Sequence, residues 1–443
     1  MLTFKNESCE FLDEIDKYLE RKYITKENAF TRTRKLSHRE TMLYPLLQCG
    51  RSNEIEALHY MEKIKGDKKI TITGKGLAKQ RMKLDPLLYE NMANDHIKRI
   101  YTNCDDDLIK TKGYIIAAID GSIISLPTDP KTRKEFIKNR NKINPRKTSR
   151  ARSSCIYDTN NEFIINSKIE CRDISEIELA KENLNSIKDT IDMEKLITIY
   201  DRGYNSLELI LHTLQLNSKF LIRLKSPTFK KERESMQTDD ELITIRLNSS
   251  HTQDIKDEPL KQYAKDLYEI KLRITNVTLK TNEIETLVSN IPFEEFNTEE
   301  MKELYGKRWR IENNYDDLKN KLEIENFTGK RREIIEQDFY STIFILNLMN
   351  SFKLNAEEKL RKKEKKKNIK LEYKINKNYI AGLIKKELLN LINKEPEERK
   401  QIIEHIEDLA TKNLVQVNKD REKTERNKKR YRQRHNINQR RPW

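Results

Sequence analysis

Two apolar runs of strand length constrain this chain more than any other feature: Tyr114-Ile115-Ile116-Ala117-Ala118-Ile119 and Leu196-Ile197-Thr198-Ile199-Tyr200. Each ends on an acid and a glycine-containing turn, Asp120-Gly121-Ser122 in the first and Asp201-Arg202-Gly203-Tyr204 in the second. A buried strand that delivers a carboxylate at its end holds that acid on a rigid element. The plainer reading of Asp120 is an Asp-Gly turn. After the second acid, the helical pattern Leu207 to Leu216 and the strand Phe220 to Leu224 complete a strand, helix, strand unit. Acids at equivalent strand ends lie side by side at one edge of a sheet.

A third acid stands among cations in Leu304-Tyr305-Gly306-Lys307-Arg308-Trp309-Arg310-Ile311-Glu312, continuing to Lys319. On one helix, Tyr305, Arg308, Glu312 and Lys319 fall within roughly 60° of one another and project from one face. Two readings follow. Glu312 pairs with Arg308 four residues earlier on a solvated face, or it holds a metal ion while Arg308 and Lys319 grip phosphates beside it.

Charge bears on that choice. The 443 residues carry 88 Lys plus Arg against 72 Asp plus Glu, a net +16, and are 36% charged. Such a balance points to a polyanion, and with no apolar run of the roughly 18 residues that span a bilayer the polyanion is nucleic acid, not a membrane. The start of the chain lacks a signal peptide's apolar core, which places it in the cytoplasm. Cys9, Cys49, Cys104, Cys155 and Cys171 are scattered without a C-x-x-C pair and read as reduced structural thiols. The seven histidines are equally dispersed.

Taken in order, residues 1–105 read as a small helical domain and a DNA-binding candidate, with Ser37 as an N-cap. Residues 131–152 hold ten cations against the single acid Glu135. That run reads either as a solvated loop or, overhanging the sheet end beside Asp120, as a phosphate contact, with Arg146, Lys147 and Arg150 as the contacting residues. Ser154 to Ile165 reads as a hairpin and Ile177 to Ile187 as a helix. Residues 226–285 alternate as antiparallel strands and form a β insertion between two parts of the core, 106–225 and 286–355. Phe339 to Met349 is apolar nearly all round, as a helix buried against the sheet. Residues 356–443 form a basic extension, whose last segment, from Lys419, has eleven cations and three acids and reads as disordered when free.

Taken together, Asp120-Gly121-Ser122, Asp201-Arg202-Gly203-Tyr204, Leu287 to Pro292, Asp338-Phe339-Tyr340 and Asn347-Leu348 resemble, in order, the DDE transposases of the bacterial IS4 family. That family's signature around its third acid is Tyr, two residues, Arg, three residues, Glu, six residues, Lys, which stands here as Tyr305, Arg308, Glu312 and Lys319. The resemblance implies an α/β fold with a ribonuclease H-like core interrupted by an antiparallel β insertion. It implies Asp120, Asp201 and Glu312 as the catalytic and metal-binding triad, holding two Mg²⁺ ions for which Mn²⁺ substitutes. Hydrolysis by two ions roughly 4 Å apart, without a covalent intermediate, agrees with three carboxylates on strands and a helix. The implied function is a transposase that binds terminal inverted repeats in double-stranded DNA, cleaves the element ends and joins the 3′-hydroxyl to target DNA. It would act as a homodimer in the DNA complex, in a bacterial nucleoid. The alternatives are a ribonuclease H-fold nuclease and a non-catalytic nucleic-acid-binding derivative; the latter would have lost an acid.

Overall fold

The computed structural model describes residues 3–32, 34–67, 69–137, 148–253, 255–278, 282–367 and 373–416. Arg146, Lys147 and the tail from Lys419 lie outside them. The chain divides into two compact units, one within Met1–Asp107, Ile123–Ala151 and Asp317–Trp443, the other comprising Leu108–Ser122 and Arg152–Asp316.

The second unit is built on a sheet of eight strands: β1 Ile115–Leu126, β2 Ser149–Asp158, β3 Ile164–Cys171, β4 Leu196–Tyr200, β5 Lys219–Arg223, β6 Asp240–Arg246, β7 Glu269–Thr278 and β8 Ile284–Ser289. Their order is β3-β2-β1-β4-β5-β8-β7-β6. β4 lies parallel to both β1 and β5, which requires crossovers, and the helix Leu207–Gln215 supplies the one between β4 and β5. With helices on a sheet whose first five strands run in the order 3-2-1-4-5, the fold is the α/β, ribonuclease H-like class that the resemblance implies.

The alternating segments expected as an insertion are antiparallel strands, but they continue the core sheet: β8 pairs with β5, β7 with β8 and β6 with β7. The same stretch also holds the helix Glu258–Leu267. Its strong polar and apolar faces had been hidden by the β-branched residues around it. One sheet face carries Ile116, Ile197, Ile199, Leu221 and Leu287, and the helix Thr298–Gly306 covers it with Met301 and Leu304. Asn297 caps that helix in a capping box with Glu300.

The other unit is helical. Its longest element, Arg332–Lys367, runs 36 residues. Phe339, Ile343, Phe344 and Leu348 are buried, and helices Phe4–Asp13, His38–Leu47 and Leu87–Asn103 pack on it. The apolar run Phe339 to Met349 is thus covered by helices, where burial against the sheet was expected. Ser37 does cap the helix His38–Leu47. Burial and Arg99 push the His96 imidazole down to about 3, which makes it a neutral core residue beside the Ser8 hydroxyl, 2.9 Å away. Four cysteines are buried and all five are free; Cys49 is exposed, so it is not the structural thiol expected. No helix among the described residues is long and apolar enough to cross a membrane.

Candidate active site

The parallel register of β1 and β4 determines where the first two acids stand. Ile119 is opposite Tyr200, so Asp120 and Asp201 are the next residues of neighbouring strands. By the two-residue alternation of a strand they share the face that carries Ile116 and Ile197. Asp201 leaves β4 as expected and caps a 3₁₀ turn, its Oδ1 accepting the Gly203 N–H at 2.6 Å. A Cβ on Gly203 would come within 2.8 Å of that oxygen, so glycine is what lets the carboxylate fold back on its own turn. Asp120 is not at a strand end. β1 outlasts β4 and runs on to Leu126, with β2 as its neighbour on the other side.

The helix of the third acid comes to β1 by a different route. The single helix expected from Tyr305 to Lys319 is interrupted. Thr298–Gly306 ends, the Arg308 and Arg310 N–H groups bond three residues back in place of four, a new helix spans Trp309–Asp316, and a π-turn follows at Asp317–Lys321. Tertiary bonds hold the kink: Lys307 Nζ donates to Thr111 Oγ1 at 2.8 Å and to Asn160 Oδ1 at 3.1 Å, and Arg310 donates to the Thr159 carbonyl. One turn after Glu312, the buried Tyr315 hydroxyl donates to the backbone carbonyl of Asp120 at 2.9 Å. The helix carrying the third acid is therefore bonded directly to the residue carrying the first.

Burial raises the Asp120 carboxyl to about 6 from an ordinary 3.8; the negative charges of Asp201 and Glu176 add to it, while the Gly121 N–H and Arg308 oppose it. Arg308 is the counter-charge of the site. Its Nη2 donates to Glu312 Oε1 at 3.1 Å, and Tyr305, Glu312 and Asp120 together raise its pKa against the effect of burial. Tyr305 packs on the sheet core, and burial pushes its hydroxyl up to about 12.

Lys319 falls in the other unit, where its ammonium donates to the Ile123 carbonyl at 2.9 Å and burial lowers its pKa. Arg150 lies on β2. Among the described residues no three His, Cys, Asp or Glu side chains are grouped closely enough to hold a metal ion. The donor set nonetheless suits a hard divalent cation. Two carboxylates are neighbours, one of them raised first by burial and then by its neighbour's charge, a cost that a cation would offset, and the third accepts from an Arg that a cation would replace as counter-charge.

Two residues of this site had no signal in the sequence. Glu176, first residue of the helix Glu176–Ile187, ion-pairs with Arg152 and comes so near β1 that a Cβ on Gly121 would meet its Cγ and Oε1 at 3.1 Å. Tyr204 is fully buried, and among the described residues its hydroxyl has no hydrogen-bond partner. Burial, then Asp120, Glu176 and Asp201, raise its pKa well above the ordinary range.

The Asp120 shift carries a stability prediction. A carboxyl harder to ionise folded than unfolded costs stability as pH rises from about 4 to about 6, and the cost persists above that. With no divalent cation present, Asp120→Asn is expected to stabilise the protein at pH 8 by up to about 3 kcal/mol, with the gain vanishing at pH 4. Thermal melts at both pH values in chelator check it, and an unchanged or lower melting temperature at pH 8 would refute it.

A family model described as "Transposase DDE domain" matches residues 111–348. A curated relative is the transposase InsG for insertion sequence element IS4 of Escherichia coli (strain K12), 23% identical over 254 residues, which cover 56% of this chain and 54% of that protein. The chain thus spans about half the length of the curated relative it matches. Among solved structures, the piggyBac transposase synaptic complex with hairpin DNA aligns at a TM-score of 0.42 and 11% identity, covering 95% of this chain and 84% of that one; at that score the likeness carries no argument. With more than half of its length and all three acids inside the family model, the chain belongs to the DDE transposase domain family, among its IS4-like members.

Proposed function

We propose that this chain is the transposase of an insertion sequence, which binds the terminal inverted repeats of its element in double-stranded DNA, cleaves at the ends and joins the freed 3′-hydroxyl to target DNA, as a homodimer on the DNA. One observation supports this above all: the β1 and β4 register that makes Asp120 and Asp201 neighbours, with the Glu312 helix bonded through Tyr315 to Asp120. Asp120, Asp201 and Glu312 would hold two Mg²⁺ ions, or Mn²⁺ in their place. When bound, such ions activate the attacking oxygen and stabilise the leaving one.

The chain's own residues prepare for that. Asp120 must be ionised to serve, which its value of about 6 allows at neutral pH. Arg308, which donates to Glu312 and also feels the Asp120 charge, would offer its guanidinium to a phosphate oxygen. The net charge of +16 favours a polyanionic substrate.

The test uses a duplex carrying the terminal repeats that flank the encoding gene. With Mg²⁺, the full chain is expected to nick it at the element end and leave a 3′-hydroxyl. Binding without any cleavage in Mg²⁺ or Mn²⁺ would favour the non-catalytic alternative, and cleavage indifferent to the repeat sequence would favour a nuclease.

Lys319 follows as a phosphate-positioning residue seven positions after Glu312. Lys319→Ala is expected to reduce end cleavage by about tenfold or more while leaving the DNA dissociation constant nearly unchanged, because one contact matters little to a large basic surface but misplaces the reacting phosphate. Equal cleavage by variant and parent would make Lys319 a structural cation whose role ends at the Ile123 carbonyl.

A further inference from the structure

The helical unit contains a cavity of about 620 Å³, none of whose lining residues belongs to the acid site. Five cations line it, Arg51, Lys63, Lys321, Lys385 and Lys386, against two acids, Glu323 and Asp338. Both acids are already engaged. Asp338 Oδ1 accepts Arg81 Nη2 at 2.7 Å and its Oδ2 accepts the Thr328 N–H at 2.6 Å, while Glu323 Oε2 accepts Asn326 Nδ2 at 2.6 Å. Two of the cations are engaged as well, Lys321 with Asp317 and Lys386 with Glu387 at 3.4 Å, so the lining keeps a positive excess but a smaller one than the count suggests. Lys63 is exposed at the rim of the cavity, donates to the Lys386 carbonyl at 3.0 Å, and has its pKa lowered by partial desolvation, a cost that a bound anion would offset.

The rest of the wall is apolar, with Leu46, Leu322 and Ile345 facing the same space. A volume of this order is that of a site for a small organic ligand, and a bare inorganic anion would leave most of it empty. A second cavity of about 380 Å³ shares Gln48, Cys49, Arg51 and Lys63 with the first and adds Glu56 and Glu62 to its own lining, so that Arg51 and Lys63 line both. Cations between two cavities, with an apolar wall in one, match an anionic group joined to a flat, weakly polar body.

We propose that this cavity binds a nucleotide, with Arg51, Lys63 and Lys385 on its phosphate and the wall of Leu46 and Ile345 against its sugar and base. The nucleotide is either free or part of a DNA strand. The site is independent of the carboxylate triad.

Cys49 gives a direct readout, because it lines both cavities and is the exposed cysteine while the other four are buried. Alkylation of Cys49 by iodoacetamide in the full chain, followed by mass spectrometry, is measured alone, with ATP, and with a short 5′-phosphorylated duplex. A nucleotide in the cavity is expected to slow alkylation. Protection by ATP identifies a free-nucleotide site, and protection by the duplex alone identifies a strand-binding one. Lys63→Gln and Lys385→Gln, made singly, are each expected to weaken the protecting probe by about tenfold or more, read as the concentration giving half protection. Glu312→Gln is expected to leave protection unchanged, so that the failure of the acid-site reading and of this one are told apart. If neither probe slows alkylation, or if protection is the same in both lysine variants as in the parent, the proposal is wrong.

Discussion

Asp120→Asn, Asp201→Asn and Glu312→Gln are each expected to reduce Mg²⁺-dependent end cleavage and strand transfer by about a thousandfold or more, while each variant still folds and binds DNA. The three acids enter from two strands and a helix, at separations of 81 and 111 residues in the sequence. Local structure gives no reason for them to meet, yet the register pairs the first two and Tyr315 bonds the third acid's helix to the first. Because one missing ligand disables the whole set, double variants should be no worse than single ones. Asp120→Asn adds a second signature, since it removes a carboxyl that burial already makes reluctant to ionise. It should lose cleavage and gain stability in chelator at pH 8, a combination that a merely structural residue would not produce. Gel assays on a cognate end, beside a binding assay on the same duplex, measure the effect. Near-parental cleavage by any one variant removes that residue from the triad.

The other large effect lies far from any chemistry. Arg81 and Asp338 are both almost fully buried, and they pair at 2.7 Å. Arg81 Nε also donates to Gln337 Oε1 at 3.0 Å, and Asp338 accepts from Gln48 and from the Thr328 N–H and hydroxyl. Arg81→Met leaves a buried carboxylate without its counter-charge and is expected to cost about 3–5 kcal/mol. Chemical denaturation checks this, and a loss under about 1 kcal/mol would mean that the neutral donors around Asp338 are sufficient. The Asp338-Phe339-Tyr340 motif that contributed to the family resemblance is on this account a folding element: Asp338 ties the long helix to the turn at Thr328 and to Arg81.

What the sequence made legible, and what it did not, follows from the range of the forces involved. β4, the helix after it and β5 were readable because each depends on its own apolar pattern. The three acids stood out because two adjoin apolar runs and one completes a spaced signature, and the register of β1 and β4 makes the first two neighbours. The end of β1 was not, since how far a strand runs past an acid depends on which neighbour outlasts the other. Nor was the kink at Lys307 and Arg308, which contain no proline and are held by bonds to Thr111, Thr159 and Asn160, residues about 150 to 200 positions away. Glu176 looked like an ordinary first-turn acid after the Ser175 cap. Only the fold brings it against Gly121 and within reach of the Asp120 charge.

If Asp120, Asp201 and Glu312 form one divalent-cation site, the protein binds Mn²⁺ through them, which is measured by titrating Mn²⁺ into the full chain and following free Mn²⁺ by electron paramagnetic resonance, without DNA and at pH 8. The parent is expected to remove Mn²⁺ from solution, and each of Asp120→Asn, Asp201→Asn and Glu312→Gln to weaken that binding by about tenfold or more. Mn²⁺ binding of parental strength in all three variants would contradict the account.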